Sequence, residues 1–220
     1  MKSYAGGLMN EAIWFEDDDV EAALARLGLS LPPLTKAVRF GYVSRISRTA
    51  NDAPNAAGFY QWNDTLRILR EELVLTHQWY RRDSNNFATI VHPDGVVAIA
   101  VSSGNSGTGR RNERPSTRRL KGACTDALVN TNAIQLELFP EGTIPGPKAD
   151  APHQAMTWML LFFTDEDEIR SELSLPDRMD DGEIVSWKTR IILPSQPIDP
   201  VLDIRPPDFG PEVDISIQRR

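Results

Sequence analysis

The sequence predicts an α+β fold, with one mostly antiparallel sheet or two small sheets and two or three helices. Strand-like segments outnumber helix-like ones, and several follow one another without the alternating strands and helices of a parallel sheet. Turn residues at 92–95 and 180–182 separate consecutive strand segments. At this length one core can form, so we expect residues 1–220 to make a single domain.

Three segments have features of helices. The first runs from about Asp18 to Leu27, with acids in its first turn and Gly28 at its C-terminal cap. The second runs from about Trp62 to Leu75, where leucines recur at helical spacing. A short third helix is predicted over Ala123 to Val129.

Alternation of apolar and polar residues predicts the strands. Ala37 to Ser47 alternates with a period of two, which is typical of a half-buried strand. A hairpin is predicted from Phe87 to Val101 around the turn at Asp94-Gly95. An antiparallel meander follows, and its three predicted strands are Trp158 to Phe163, Ile169 to Leu175 and Ile184 to Leu193.

Three further segments lack a regular pattern. They are an arginine-rich loop at 102–122, a Pro/Gly-rich loop at 140–152, and a proline-rich, extended C-terminal tail at 194–220.

The composition, 40% hydrophobic and 25% charged, is that of an ordinary globular protein. The single cysteine, Cys124, cannot form an intramolecular disulfide, and three scattered histidines do not complete a zinc site with it. The longest apolar run, Met156 to Phe163, is far shorter than the roughly 20 residues of a membrane helix. We therefore expect a cytoplasmic protein with no cofactor, no metal and no membrane contact.

The net charge of −7 is unevenly distributed along the chain. Residues 36–122 carry fourteen lysines and arginines against seven acids, whereas residues 123–220 carry eight against eighteen. Such asymmetry is compatible with a basic face for an anionic partner on an otherwise acidic protein.

Six cations follow a glycine-rich stretch within the arginine-rich loop: Arg110, Arg111, Arg114, Arg118, Arg119 and Lys121. Arginine forks match phosphate oxygens, so this pattern predicts contacts with the backbone of DNA or RNA that order the loop on binding. The alternatives are a solvated loop whose arginines pair within the protein, and a site for a small phosphorylated ligand. No aromatic residue interleaves with these cations, which argues against base stacking by the loop itself.

A second motif follows the predicted third helix. The peptide Gln135-Leu136-Glu137-Leu138-Phe139 resembles the Gln-Leu-x-Leu-Phe ligand by which bacterial polymerases and repair factors dock on the β sliding clamp. The resemblance covers only these five residues. It implies that Gln135 hydrogen-bonds at the pocket rim, that Leu138 and Phe139 fill the apolar pocket, and that Leu136 assists. Ile134 to Phe139 also alternates like a half-buried strand, so a plain structural role stays open.

The sequence has no Walker loop, no His-Glu-x-x-His and no Gly-x-Ser-x-Gly, so we assign no catalytic residue. We predict a non-catalytic accessory or regulatory protein of bacterial or mobile-element DNA metabolism, which binds nucleic-acid backbone and the β sliding clamp. Two alternatives stay open. One is a protein-interaction module or inhibitor, such as a toxin-antitoxin or phage-defence component. The other is an enzyme whose site is dispersed over distant segments.

Overall fold

A computed structural model describes residues 11–85, 87–136 and 155–198. Within these ranges the chain forms four helices, α1 (Asp17–Arg26), α2 (Leu31–Ile46), α3 (Ala56–His77) and α4 (Ala123–Leu136). The same ranges contain seven strands, β1 (Ala12–Trp14), β2 (Tyr80–Ser84), β3 (Phe87–Val91), β4 (Val97–Ser103), β5 (Met156–Thr164), β6 (Glu168–Asp180) and β7 (Glu183–Pro197). The predicted α+β class is confirmed, but the expected number of helices, two or three, is wrong.

The described strands form one sheet in the order β1-β7-β6-β5-β4-β3-β2. Four neighbouring pairs are antiparallel, and two pairs, β1 with β7 and β4 with β5, are parallel. The predicted hairpin is β3–β4 and the predicted meander is β5-β6-β7, so both are confirmed. The Pro/Gly-rich loop expected at 140–152 lies outside the described residues, as does most of the tail, whose first residues extend β7.

The parallel pairing of β4 with β5 determines where the functional groups lie. Parallel strands need a long crossover connection, and here it includes the arginine-rich segment and α4. Ser103 at the end of β4 is in register with Phe162 near the end of β5. The carboxyl ends of both strands therefore lie side by side, where the arginine-rich segment begins.

The main hydrophobic core lies between one face of the sheet and helices α1 to α3. The fully buried side chains of this core include Leu24, Leu34, Leu69, Ile99, Trp158, Leu160, Leu173 and Ile191. None of the described helices is long and apolar enough to cross a lipid bilayer.

The strand predicted at Ala37 to Ser47 is wrong, because this segment belongs to α2. The buried positions in α2 recur at helical spacing and include Leu34, Ala37, Val38, Gly41 and Tyr42. Its two prolines lie at the first helical positions, where the missing N–H costs no hydrogen bond. The period-two pattern came from apolar residues that a helix also places together.

Gly41 allows α2 and α3 to pack closely. A Cβ atom at this position would lie 2.0 Å from the Thr65 hydroxyl oxygen and 2.6 Å from the Gln61 carbonyl oxygen. The two helix backbones therefore approach each other at a point where any side chain would collide.

Helix α4 continues through Leu136, so the extended conformation predicted from Ile134 onward is wrong for its first three residues. The helix is fixed at its middle by Asn132, whose side chain is fully buried. This side chain accepts from the N–H of Thr157 at 2.8 Å and donates to the carbonyls of Thr157 and Pro176 at 2.9 and 3.0 Å. Asn132 thus bridges β5 and β6 beyond the last paired residues of their ladder.

Replacing Asn132 with alanine leaves these three backbone groups of Thr157 and Pro176 without a protein partner. Because each buried, unpaired group costs about 1–3 kcal/mol, we expect Asn132→Ala to lower the free energy of unfolding by about 2–4 kcal/mol. Urea unfolding followed by circular dichroism measures the change. Asn130→Ala, on an exposed position of the same helix, should cost less than about 0.5 kcal/mol. Equal losses in both variants would contradict the bridging role.

Candidate functional site

The arginine-rich segment is folded against the sheet. Asn105 organises its first part, because its side-chain oxygen accepts hydrogen bonds from the N–H groups of Gly107 and Ser116, both at 3.1 Å. The N–H of Asn105 donates to the Ser116 carbonyl at 3.0 Å, and Gly104 forms a β-bridge with Thr117. These hydrogen bonds close the loop on itself beside the end of β4.

A buried ion pair lies beneath this loop. Glu172 and Arg190 are diagonal neighbours on β6 and β7, and both side chains are at most 1% exposed. Arg190 donates to the two carboxylate oxygens of Glu172, from Nε at 3.1 Å and from Nη2 at 2.7 Å. Their sequence neighbours Leu173 and Ile191 belong to the main core, so the pair lies on the opposite face of the sheet.

Both members of the pair also hold the loop. Arg190 donates to the carbonyls of Glu113 at 2.9 Å and Arg110 at 3.0 Å, while Glu172 accepts the N–H of Gly109 at 2.8 Å. Gly109 has a φ of +72°, and a Cβ atom there would lie 2.8 Å from the Cβ of Arg170. Only glycine lets the loop backbone come this close to the sheet.

The polar side of β6 is therefore buried. Its sequence alternation predicts one apolar face and one polar face, and both faces of the strand are covered in the structure. Ser174 donates its hydroxyl to Glu172 at 2.7 Å. Arg170, only 4% exposed, lies over the Phe163 ring and within 3.3 Å of the Asp165 carboxylate. The loop and Ser174 supply hydrogen-bond partners to Glu172, whereas Arg170 is held by the Asp165 carboxylate and the Phe163 ring.

The structure divides the six predicted phosphate-binding cations into two groups. Arg118, Arg119 and Lys121 line one cleft, where Arg45 from α2 joins them. Arg110, Arg111 and Arg114 do not line this cleft. Arg110 lies 3.3 Å from the Glu113 carboxylate, and the Arg111 guanidinium lies over the Phe15 ring at 4.1 Å.

The cationic cleft, as we call the space around Arg45, Arg118, Arg119 and Lys121, has a volume of about 480 Å³. It opens at the carboxyl ends of the parallel strands β4 and β5 and beside the N-terminus of α3. The residues that complete its lining are Ala53, Asn55, Ala56, Gly58, Phe59, Tyr60, Gln61, Trp62, Val101, Ser102, Ser103 and Phe162.

Lys121 lies at the buried end of these charges. Its ammonium group donates to the Ser102 hydroxyl at 2.8 Å, and its N–H donates to the Gly182 carbonyl at 2.7 Å. Burial, together with the positive charge of Arg119, lowers the pKa of Lys121 to about 8. An anion in the cleft would restore the favourable interaction that this ammonium group lost on leaving water.

The lining of the cleft is strongly asymmetric in charge. Four cations line it, and no aspartate or glutamate lies among the described residues that form its walls. The N-terminus of the 22-residue helix α3 adds the positive end of its dipole. This arrangement favours the binding of a phosphate or another anion.

Aromatic residues form another wall, and sequence reasoning missed them. Helix α3 begins at Ala56, six residues before the predicted start, so its aromatic residues continue past Trp62 to Phe59. Trp62 is packed against the core and donates its indole N–H to the Val101 carbonyl at 3.1 Å. Phe59 extends beyond the core and is 55% exposed. Phe59, Trp62 and Leu66 are spaced by three and four residues in the sequence. This helical spacing could have predicted that Phe59 belongs to the helix and lies on the same side of it as Trp62.

The peptide that resembles a clamp ligand is described only in part. Gln135 and Leu136 end α4, and Leu136 is partly buried against the main core. Leu138 and Phe139, the expected anchors, lie outside the described residues. Docking on the β sliding clamp therefore stays a prediction.

No protein-family model matches the chain. No curated protein and no solved structure matches it either. The function is therefore inferred from the residues that line the cationic cleft.

Breaking the buried ion pair should destabilise the protein strongly. Glu172→Leu leaves Arg190 with only the Glu11 carboxylate, 3.7 Å from its Nε, and Arg190→Met leaves the buried Glu172 without its cation. We therefore expect each to lower the free energy of unfolding by about 3–5 kcal/mol. The double variant should lose less than the sum of the two single losses, because it leaves neither charge behind. Chemical denaturation of all four proteins measures this coupling, and additive losses would contradict it.

Proposed function

We propose that the protein binds the phosphate backbone of nucleic acid in the cationic cleft, as a non-catalytic accessory or regulatory protein of bacterial or mobile-element DNA metabolism. The observation that supports this proposal is the convergence of Arg45, Arg118, Arg119 and Lys121 on the walls of one cleft. Guanidinium groups bind phosphate oxygens in pairs, and several adjacent cations suit a polyanion better than a single carboxylate.

The fixed loop strengthens the proposal. Arg118 and Arg119 are exposed, and the backbone that carries them is held in place, since the N–H of Arg118 donates to the Ser103 carbonyl at 3.0 Å. A preorganised backbone reduces the conformational entropy that the side chains lose when they bind a ligand. In a flexible loop, the backbone that carries the same cations would lose conformational entropy each time a ligand bound.

The cleft also bears on the alternative of an enzyme with a dispersed site. Polar groups from distant segments do gather here, as that alternative requires. General acid-base chemistry would, however, rest on Lys121 and Tyr60, because no histidine or carboxylate lies among the described lining residues. Binding alone accounts for the same groups with fewer assumptions, so the proposal assigns no reaction to the cleft.

Contact with the β sliding clamp is a separate part of the proposal, supported only by the peptide Gln135 to Phe139. Clamp binding would depend chiefly on Leu138 and Phe139, the anchors that the resemblance implies. Nucleic-acid binding in the cleft does not require the clamp, and each contact can be tested without the other.

Removing two cleft arginines should weaken nucleic-acid binding far more than removing two others from the same loop. We expect Arg118→Ala/Arg119→Ala to reduce the affinity for a labelled single-stranded DNA roughly tenfold or more at about 50 mM salt. Fluorescence anisotropy measures the affinity. The slope of log affinity against log salt should fall by about 1 to 1.5, since two phosphate contacts are lost.

The matched control is Arg110→Ala/Arg111→Ala, which removes the same charge from the same loop outside the cleft. We expect this control to change the affinity by less than about threefold. Two equal losses would show a diffuse electrostatic effect, and an absence of binding by the wild type would refute the proposal.

Binding should also depend on pH. Because the pKa of Lys121 is lowered to about 8, its positive charge is present below that pH and is lost as the pH rises through it. We therefore expect the affinity to fall between pH 7 and pH 9. In Lys121→Arg the cation stays charged throughout, so that variant should lose the pH dependence. An equal pH dependence in both proteins would contradict the role of Lys121.

A further inference from the structure

The exposed ring of Phe59 adds a second element to the cationic cleft. Its surface is 55% exposed. Phe59 and the cleft cations come from different parts of the chain, and the fold brings them to the walls of one cavity. Cations and an accessible aromatic ring side by side suit a ligand with both a phosphate and a flat base.

The ring is supported from two sides. Its centroid lies 5.9 Å from that of Trp62, at an interplanar angle of 46°, and 6.3 Å from that of Tyr60, at 61°. Both neighbours are themselves fixed: Trp62 donates to the Val101 carbonyl, and the Tyr60 hydroxyl donates to Asp52 at 2.7 Å. Phe59 is therefore a braced platform, which loses little conformational entropy when a flat group stacks on it.

The size of the cleft also limits the ligand. A volume of about 480 Å³ falls in the range of sites that enclose one small molecule. It can take one nucleotide unit with its base turned inward. In a duplex the bases are paired and stacked inside the helix, so only the backbone would reach the cations and Phe59 would stay unused.

We infer that the cleft selects single-stranded nucleic acid, with one base stacked on Phe59 and the adjoining phosphates held by Arg45, Arg118, Arg119 and Lys121. This inference rests on the proposed function and specifies its ligand. The strand can be DNA or RNA, because both present the same phosphates and aromatic bases to these groups.

Anisotropy titrations with labelled oligonucleotides of about twelve nucleotides test this inference. The probes are single-stranded DNA, the same strand as RNA, the corresponding DNA duplex, and a single strand made entirely of abasic sites. We expect the wild type to bind the single strands about tenfold more tightly than either the duplex or the abasic strand. DNA and RNA compared directly show which of the two the cleft prefers.

Variants of Phe59 test whether its ring is responsible for the preference for single strands. Phe59→Ala should lose about tenfold on single strands and little on the duplex, whereas Phe59→Trp should keep the affinity of the wild type. Phe40→Ala is the matched control, because Phe40 is an exposed phenylalanine, 46% exposed, that does not line the cleft. Circular dichroism spectra identical to that of the wild type show that the variants are folded.

The results distinguish the proposed backbone binding in the cleft from the inferred selection of single strands by Phe59. Equal affinity for single strands and duplex, with no effect of Phe59→Ala, would overturn the inference and leave backbone binding in place. No binding to any probe would overturn both. Equal losses for Phe59→Ala and Phe40→Ala would also overturn the inference, because a general loss of exposed apolar surface would then explain them.

Discussion

The buried contact between Glu172 and Arg190 is the interaction on which the functional surface depends. Two charges out of water are costly unless each finds enough partners, and here Ser174, Gly109 and two loop carbonyls complete the set. Most of these partners belong to the arginine-rich segment. The sheet therefore stabilises the loop, and the hydrogen bonds from the loop in turn offset the cost of burying the two charges.

The position of the cationic cleft follows from the topology of the sheet. Strands β4 and β5 run parallel, so their carboxyl ends coincide, and the polypeptide leaves β4 directly into the arginine-rich segment. Ligands often bind at the carboxyl ends of parallel strands, where the connecting segments meet. Helix α3 extends past the core at the same end and presents Phe59 there. Segments far apart in the sequence thus supply the cations and the aromatic ring.

Local patterns predicted much of the fold and part of the site. The hairpin and the meander were predictable because Asp-Gly turns and alternating side chains determine them over short distances. The strand predicted at Ala37 to Ser47 was wrong, since Val38 and Tyr42, which are buried on one face of the helix, also fit the period of a strand. Sequence reasoning found Arg118, Arg119 and Lys121 but could not separate them from Arg110 and Arg111. The conformation of the loop rests on long-range contacts, such as the hydrogen bond from Arg190 to the Arg110 carbonyl 80 residues away.

Hydrogen exchange in the presence of a single-stranded oligonucleotide is the measurement that locates the ligand. If the cationic cleft binds the strand, exchange should slow at residues 56–62 and 118–121, which contribute to its walls. Residues 105–114 should change little, because none of them lines the cleft. Protection confined to residues 105–114, or no protection anywhere, would contradict the cleft as the binding site.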